Sequence, residues 1–230
     1  MSDSPRICVT ITEHTVEAAH TQAQLAARRG ADLVEIRADF IRGLTTEAIP
    51  GLLNGIQVPA IFTLRIEAEG GEWQGEDVVR EGLYLAASGA GFAYLDIELA
   101  SAPLFERIRK SVRAQTILSY HNFEKTEANH LKQVYQRMRA LGPDVVKLAA
   151  FANSDTDRWT LLKLLHNTVR DVQPAVVIGM GPVGRMSRVV FPLLGGSWTY
   201  ACLREQAAAA PGQYPLAELQ EIYRRMGEKA

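Results

Sequence analysis

Apolar, β-branched runs recur along the whole chain: Arg6–Ile11, Leu33–Asp39, Ala60–Arg65, Ala93–Leu99, Gln115–His121, Val145–Phe151, Ala175–Gly181 and Trp198–Leu203. Each has the length of an ordinary strand. They read as near-continuous apolar segments rather than clean alternations, the pattern of parallel strands covered on both faces. Apolar positions at helical spacing fill the intervals. Val16–Arg29 stops at Gly30, a favourable terminator. Asp77–Ser88, Glu127–Leu141 and Asp155–Val169 repeat the pattern, and Ser154 or Asp155 can cap the last of them. Thr45–Leu53 and Ala102–Val112 predict shorter helices, another starts after Gly184, and Leu216–Met226 predicts a closing one.

Strict alternation of strand and helix implies a parallel sheet with right-handed crossovers. Eight such units in 230 residues predict a (β/α)8 TIM barrel, one domain spanning residues 1–230. A doubly wound open sheet is the alternative. It needs a Gly-rich phosphate loop after the first strand, where this chain has Thr10-Ile11-Thr12-Glu13-His14.

Composition narrows the function classes. A net charge of −1 gives no support for a nucleic-acid partner. No apolar run reaches the ~20 residues that span a bilayer. The amino terminus has neither a basic nor an apolar leader region, so no secretion signal is expected. Cys8 and Cys202 each sit inside a strand-like run and read as buried free thiols of a reducing compartment, which makes the expected location cytoplasmic.

The candidate chemistry centres on Lys147, alone among apolar residues in the run Val145–Phe151. A buried lysine either pairs with a carboxylate or gives up its proton and becomes a nucleophile towards carbonyl carbon. No carboxylate lies within its own strand. Other polar residues gather at strand ends, where barrel enzymes keep their chemistry. Glu35, Arg37 and Asp39 share a strand face by their spacing of two, and an outer face of alternating charge would look the same. Arg65 ends the third strand, before Glu69-Gly70-Gly71. Asp96 and Glu98 repeat the spacing of two on the fourth. His121 ends the fifth; a strand-end histidine is the natural acid–base residue near neutral pH, although taken alone it is more often structural. Met180–Arg188 combines glycines, a helix start and two arginines, which suits an anion. Arg204–Gln213 is small, mobile-looking chain suited to a lid. No Cys/His cluster has metal spacing, and neither a Walker loop nor a nucleophile elbow occurs. Together these residues suit imine chemistry on an anionic ketone or aldehyde.

Eight motifs then carry a resemblance: Glu35-Ile36-Arg37-Ala38-Asp39; Thr63-Leu64-Arg65 with Glu69-Gly70-Gly71; Asp96-Ile97-Glu98; Ser119-Tyr120-His121-Asn122-Phe123; Val146-Lys147; Met180-Gly181 through Gly184 to Ser187-Arg188; Gly196-Ser197; and Pro211-Gly212-Gln213. Their order and spacing over about 180 residues resemble the type I 3-dehydroquinate dehydratases. The resemblance implies a (β/α)8 barrel, usually homodimeric, that needs no metal or organic cofactor and converts 3-dehydroquinate to 3-dehydroshikimate in the shikimate pathway. It implies that Lys147 forms the Schiff base, His121 is the general acid–base and Glu69 its carboxylate partner. Glu35, Arg37 and Arg65 match substrate contacts, Arg188 the carboxylate-binding arginine, Gln213 the lid glutamine, and Thr10 a hydroxyl contact. Ala209 departs from the pattern, since the family usually has serine four residues before the lid glutamine. A lysine-imine lyase of the class I aldolase type, or a binding barrel that has lost activity, would share parts of this set. The aldolase type does not require the Glu-x-Arg motif, and loss of activity would be expected to remove Lys147, His121 or Arg188.

Overall fold

The computed structural model describes residues 5–204 and 209–227. The amino-terminal stretch 1–4, positions 205–208 of the expected lid and the carboxyl-terminal 228–230 lie outside the described residues. The strands are β1 (Ile7–Ile11), β2 (Leu33–Arg37), β3 (Ala60–Thr63), β4 (Tyr94–Glu98), β5 (Gln115–Asn122), β6 (Val145–Phe151), β7 (Ala175–Met180) and β8 (Thr199–Cys202). Each pairs in parallel with the next from β1 to β7, and β8 pairs with β1. Between β7 and β8 the described residues share no ladder; the Ser197 N–H donates to the Ala175 carbonyl at 2.7 Å instead. The sheet is curled tightly enough that side chains of β6 and β2 meet, and that Tyr94 of β4 packs on Trp198, just before β8, with centroids 5.4 Å apart. This is the predicted (β/α)8 barrel. A two-residue strand, β9 (Tyr214–Pro215), pairs in parallel with the edge of β8 opposite β1.

The outer layer comprises α1 (Val16–Arg28), α2 (Asp77–Ala90), α3 (Ala102–Ser111), α4 (Ala128–Leu141), α5 (Asp155–Arg170), α6 (Gly181–Gly184), α7 (Ser187–Leu193) and α8 (Leu216–Gly227). Thr15 caps α1, and Ser154 forms a full capping box with Asp157 at the start of α5. Where a helix was expected over Thr45–Leu53, only one 3-10 turn forms, Ile49–Leu52. Pro50 has no N–H to donate, and Gly51 and Gly55 make helix extension costly. Two strands also end earlier than the apolar pattern suggests. The chain turns at Ala38–Phe40, and Arg65 leaves the ladder after Thr63 to reach carboxylates on β4.

The two cores explain the uninterrupted apolar runs. Outward-facing residues such as Val9, Val34, Phe62, Leu95, Leu118, Val146 and Val177 pack under the helices. Inward-facing residues at the amino ends of the strands, among them Cys8, Leu33, Ile61, Ile117, Val145, Val176 and Trp198, fill the barrel floor. One step of two residues further along, the inward positions become Thr10, Glu35, Thr63, Asp96, Ser119 and Lys147. Polarity therefore changes from the floor to the carboxyl-end mouth, and the site sits at that change. Both cysteines are buried thiols.

Candidate active site

Thr10, Glu35, Arg37, Arg65, Glu69, His121, Lys147, Arg188 and Gln213 all line one cavity at the carboxyl ends of the strands. Phe123, Ala149, Ile178, Met180, Tyr200 and Ala209 complete its wall.

Lys147 is buried, and its Nζ donates to Glu35 Oε1 at 2.9 Å and to Asp96 Oδ2 at 2.9 Å. It lies 4.4 Å from the centre of the Tyr200 ring, a cation–π contact. Lys147 is therefore ion-paired, by carboxylates from two other strands. Thr10 and Thr63 hydroxyls donate to the same Glu35 carboxylate, at 3.2 and 3.1 Å. Burial alone pushes the Asp96 carboxyl up, yet Arg65 and Lys147 hold it well below its ordinary value. Asp96 and Tyr200 were not among the expected site residues. The spacing of Asp96 and Glu98 was visible, but nothing local showed that Asp96 meets Lys147.

Arg65 is fully engaged. It donates to Ser119 Oγ at 2.6 Å and pairs with Asp96 at 2.9 Å and Glu98 at 3.1 Å. Arg37 forms a fork on Asp39, with bonds of 2.9 and 2.7 Å, and donates to the Gly70 carbonyl at 3.2 Å. Asp39 reaches it from a turn rather than from the strand.

His121 has its Nδ1 3.0 Å from Glu69 Oε2, and its backbone N–H donates to the same oxygen at 2.9 Å. Burial, with the Arg65 and Lys147 charges, holds the imidazole well below its ordinary value, so it is neutral. Burial pushes the Glu69 carboxyl up to about 7, against the opposing pull of Arg65. With Glu69 ionised, Nδ1 carries the imidazole proton towards it and Nε2 keeps a free lone pair.

Arg188, on α7, is 2% exposed, and the charge is not matched by any carboxylate among the described residues. One Nη donates to the Pro211 carbonyl at 3.3 Å, and Nε has no partner. Burial pulls the guanidinium down to about 10. Gly184 permits this placement: a Cβ there would overlap the Gly179 backbone, so only glycine lets α6 lie directly on β7 and present α7 to the cavity. The Gly181 N–H donates to the Pro211 carbonyl at 3.4 Å. Arg185 turns away, over the Tyr214 ring at 3.8 Å. The described end of the lid folds across the mouth. Gln213 Nε2 donates to Thr10 at 3.4 Å, and its Oε1 accepts from the Ala209 N–H at 2.7 Å.

A parallel barrel with a lysine, a carboxylate-backed histidine and, at its carboxyl-end mouth, an arginine that meets no carboxylate among the described residues defines a (β/α)8-barrel enzyme for a small anionic molecule. Comparison with known proteins makes the class specific. The family model for type I 3-dehydroquinase matches residues 7–230, and the chain belongs to that family. It is 34% identical over 226 residues to a 3-dehydroquinate dehydratase of Coxiella burnetii, covering 98% of this chain and 95% of that one. A 3-dehydroquinate dehydratase of Methanococcus vannielii is 33% identical over 221 residues, covering 94% and 97%. The crystal structure of 3-dehydroquinate dehydratase from Geobacillus kaustophilus superposes with a TM-score of 0.90 at 25% identity, covering 99% and 94%.

Proposed function

We propose that the chain dehydrates 3-dehydroquinate to 3-dehydroshikimate by covalent catalysis on Lys147, with His121 as the proton shuttle. As a member of the type I 3-dehydroquinase family it is a hydro-lyase of the shikimate pathway. The observation that carries the assignment of roles is the meeting of Lys147, the His121–Glu69 pair and Arg188 around one cavity.

Arg188 receives the substrate carboxylate in a two-bond fork, which fixes the ring face turned to His121. Lys147 passes a proton to Glu35, since Asp96 is held ionised by Arg65, and the free amine adds to the C3 carbonyl. Loss of water leaves a protonated imine. His121 Nε2 removes a C2 proton, and the C2–H electron pair forms the enamine. The imidazolium, stabilised by Glu69, then protonates the C1 hydroxyl. As the C1–O bond breaks, the nitrogen lone pair pushes back and the C1–C2 double bond forms in conjugation with the iminium. Hydrolysis releases product and restores Lys147. The protonated imine supplies the electron sink, so this route needs no metal or organic cofactor. Buried thiols and the family resemblance support a cytoplasmic homodimer, and light scattering of the purified protein tests the dimer. No described helix is long and apolar enough to cross a membrane.

The test is incubation with 3-dehydroquinate, following absorbance of the conjugated enone, then borohydride trapping and peptide mapping. Lys147→Ala should lose turnover and trap no substrate; a mass increase that persists on this variant refutes the nucleophile. His121→Ala should still trap the imine but eliminate slowly, and unchanged turnover would remove His121 from the mechanism.

A further inference from the structure

Arg80 lies on α2, outside the barrel, in a helix that contributes nothing to the cavity wall. It is nevertheless completely buried. A cation in that position needs partners, and Arg80 has three. One Nη donates to the Leu64 carbonyl at 2.5 Å and forms an ion pair with Glu98 Oε2, and the other donates to Ser101 at 2.9 Å. Tyr84, one helical turn on, supports the same place. Its hydroxyl accepts from the Leu64 N–H at 3.4 Å and donates to the Asp96 carbonyl at 2.6 Å.

The second oxygen of Glu98 does two things. It pairs with Arg65 at 3.1 Å and accepts from the Ile66 N–H at 3.0 Å. Arg80 therefore grips Arg65 from both sides, directly at Leu64 and through Glu98 at Ile66. Ile66 in turn starts the 3-10 turn Glu67–Glu69: its carbonyl accepts the N–H groups of Glu69 and Gly71, each at 3.0 Å. That turn brings Glu69 to His121. A continuous alternation of charge also runs inwards from Arg80 through Glu98, Arg65, Asp96 and Lys147 to Glu35. Three cations and three carboxylates balance, and Arg80 is the outer end.

We infer that Arg80 is a positioning residue for the dehydration: it clamps Leu64–Ile66 and neutralises Glu98, and so holds Arg65 and the Glu69 turn where the Lys147 and His121 steps need them. The inference rests on the proposed roles of Lys147 and of the His121–Glu69 pair. Glu69 is faced by Arg65 from the end of β3, by Asp96 and Glu98 from β4 and by His121 from β5, while Arg37 of β2 holds the carbonyl of Gly70 beside it. Among these, Glu98 is the negative group whose charge Arg80 cancels from outside.

The test is the pH profile of kcat/KM, with kcat and KM separated, for Arg80→Met, Arg80→Lys, Glu98→Gln and the double variant. Arg80→Met should lower kcat roughly 10- to 100-fold with a smaller change in KM, as loss of sub-ångström positioning does. Its acidic limb should move up by roughly one pH unit, because the uncancelled Glu98 charge opposes ionisation of Glu69. Adding Glu98→Gln should bring the limb back down. Arg80→Lys keeps the charge but loses the fixed fork, so the limb should stay while kcat falls several-fold. An unmoved limb in both Arg80→Met and the double variant, with only a lower melting temperature, overturns the inference in favour of a structural role. If Arg80→Met does not fold, Arg80→Lys with full kcat, or Glu98→Gln with an unmoved limb, overturns it equally. Borohydride trapping on Lys147 in each variant keeps the outcomes separate: loss of trapping on wild type is failure of the mechanism, not of Arg80.

Discussion

Replacing Arg188 by methionine should make the ligand-free protein no less stable while removing its hold on substrate. Burial brings the guanidinium from an ordinary 12.5 down to about 10. At ~1.4 kcal/mol for each tenfold change in proton affinity, the folded protein carries an uncompensated charge costing about 3 kcal/mol. The sign follows from the direction. A base whose folded value lies below its unfolded value destabilises the fold at every pH where it stays charged, which here includes neutrality. Methionine fills similar volume and needs no counterion. It loses the bond to Pro211, worth about 1.5–3 kcal/mol because the donor is charged. The balance is a gain of about 0–1.5 kcal/mol, or roughly 0–6 °C in a chain of this size. Substrate has the opposite stake: losing one partner of a buried ionic fork costs about 2–5 kcal/mol, so KM should rise roughly 30- to 5,000-fold. Thermal unfolding with and without 3-dehydroquinate, alongside steady-state kinetics, reads both effects. A variant that melts well below wild type without ligand and keeps its KM would refute the view of Arg188 as an anion anchor.

Other outcomes follow from the same geometry. Glu69 is raised to about 7 and must be ionised for His121 Nε2 to act as a base, while burial holds the His121 imidazole well below its ordinary value, so kcat/KM should increase with pH through about 7. Glu69→Gln should abolish that limb; a limb that survives belongs to another group. Gly71→Ala should disrupt the Glu69 turn, because a Cβ there would overlap the Arg65 carbonyl, and activity should fall by at least about 10-fold even where the barrel still gives a cooperative melt. Ala209 lines the cavity and keeps its N–H on Gln213. Ala209→Ser adds a hydroxyl at the mouth and should lower KM by no more than about 10-fold with kcat unchanged, the scale of one hydrogen bond; a changed kcat would mean that the lid takes part in the chemical step.

The barrel was legible in the chain, and so were nine of the residues that line its cavity. Strand and helix periodicities are local, so the alternation from Ile7 to Gly227 could be read directly, as could the step from an apolar floor to polar positions two residues on. The sequence by itself could not show that Thr45–Leu53 makes a single 3-10 turn, where Pro50 and the neighbouring glycines outweigh a helix-like pattern. Nor could it show what Lys147 faces. Its carboxylate partners lie 112 and 51 residues away, on strands that are not its neighbours in the sheet. Only closure of the barrel brings those interior positions within bonding distance. Arg80 is the same case from outside: on its helix it reads as an ordinary surface cation, and its burial follows from where α2 docks across the ends of β3 and β4. Local spacing fixes which way a side chain points, whereas the charge it meets is set by strands and helices that only the curvature of the whole sheet brings together.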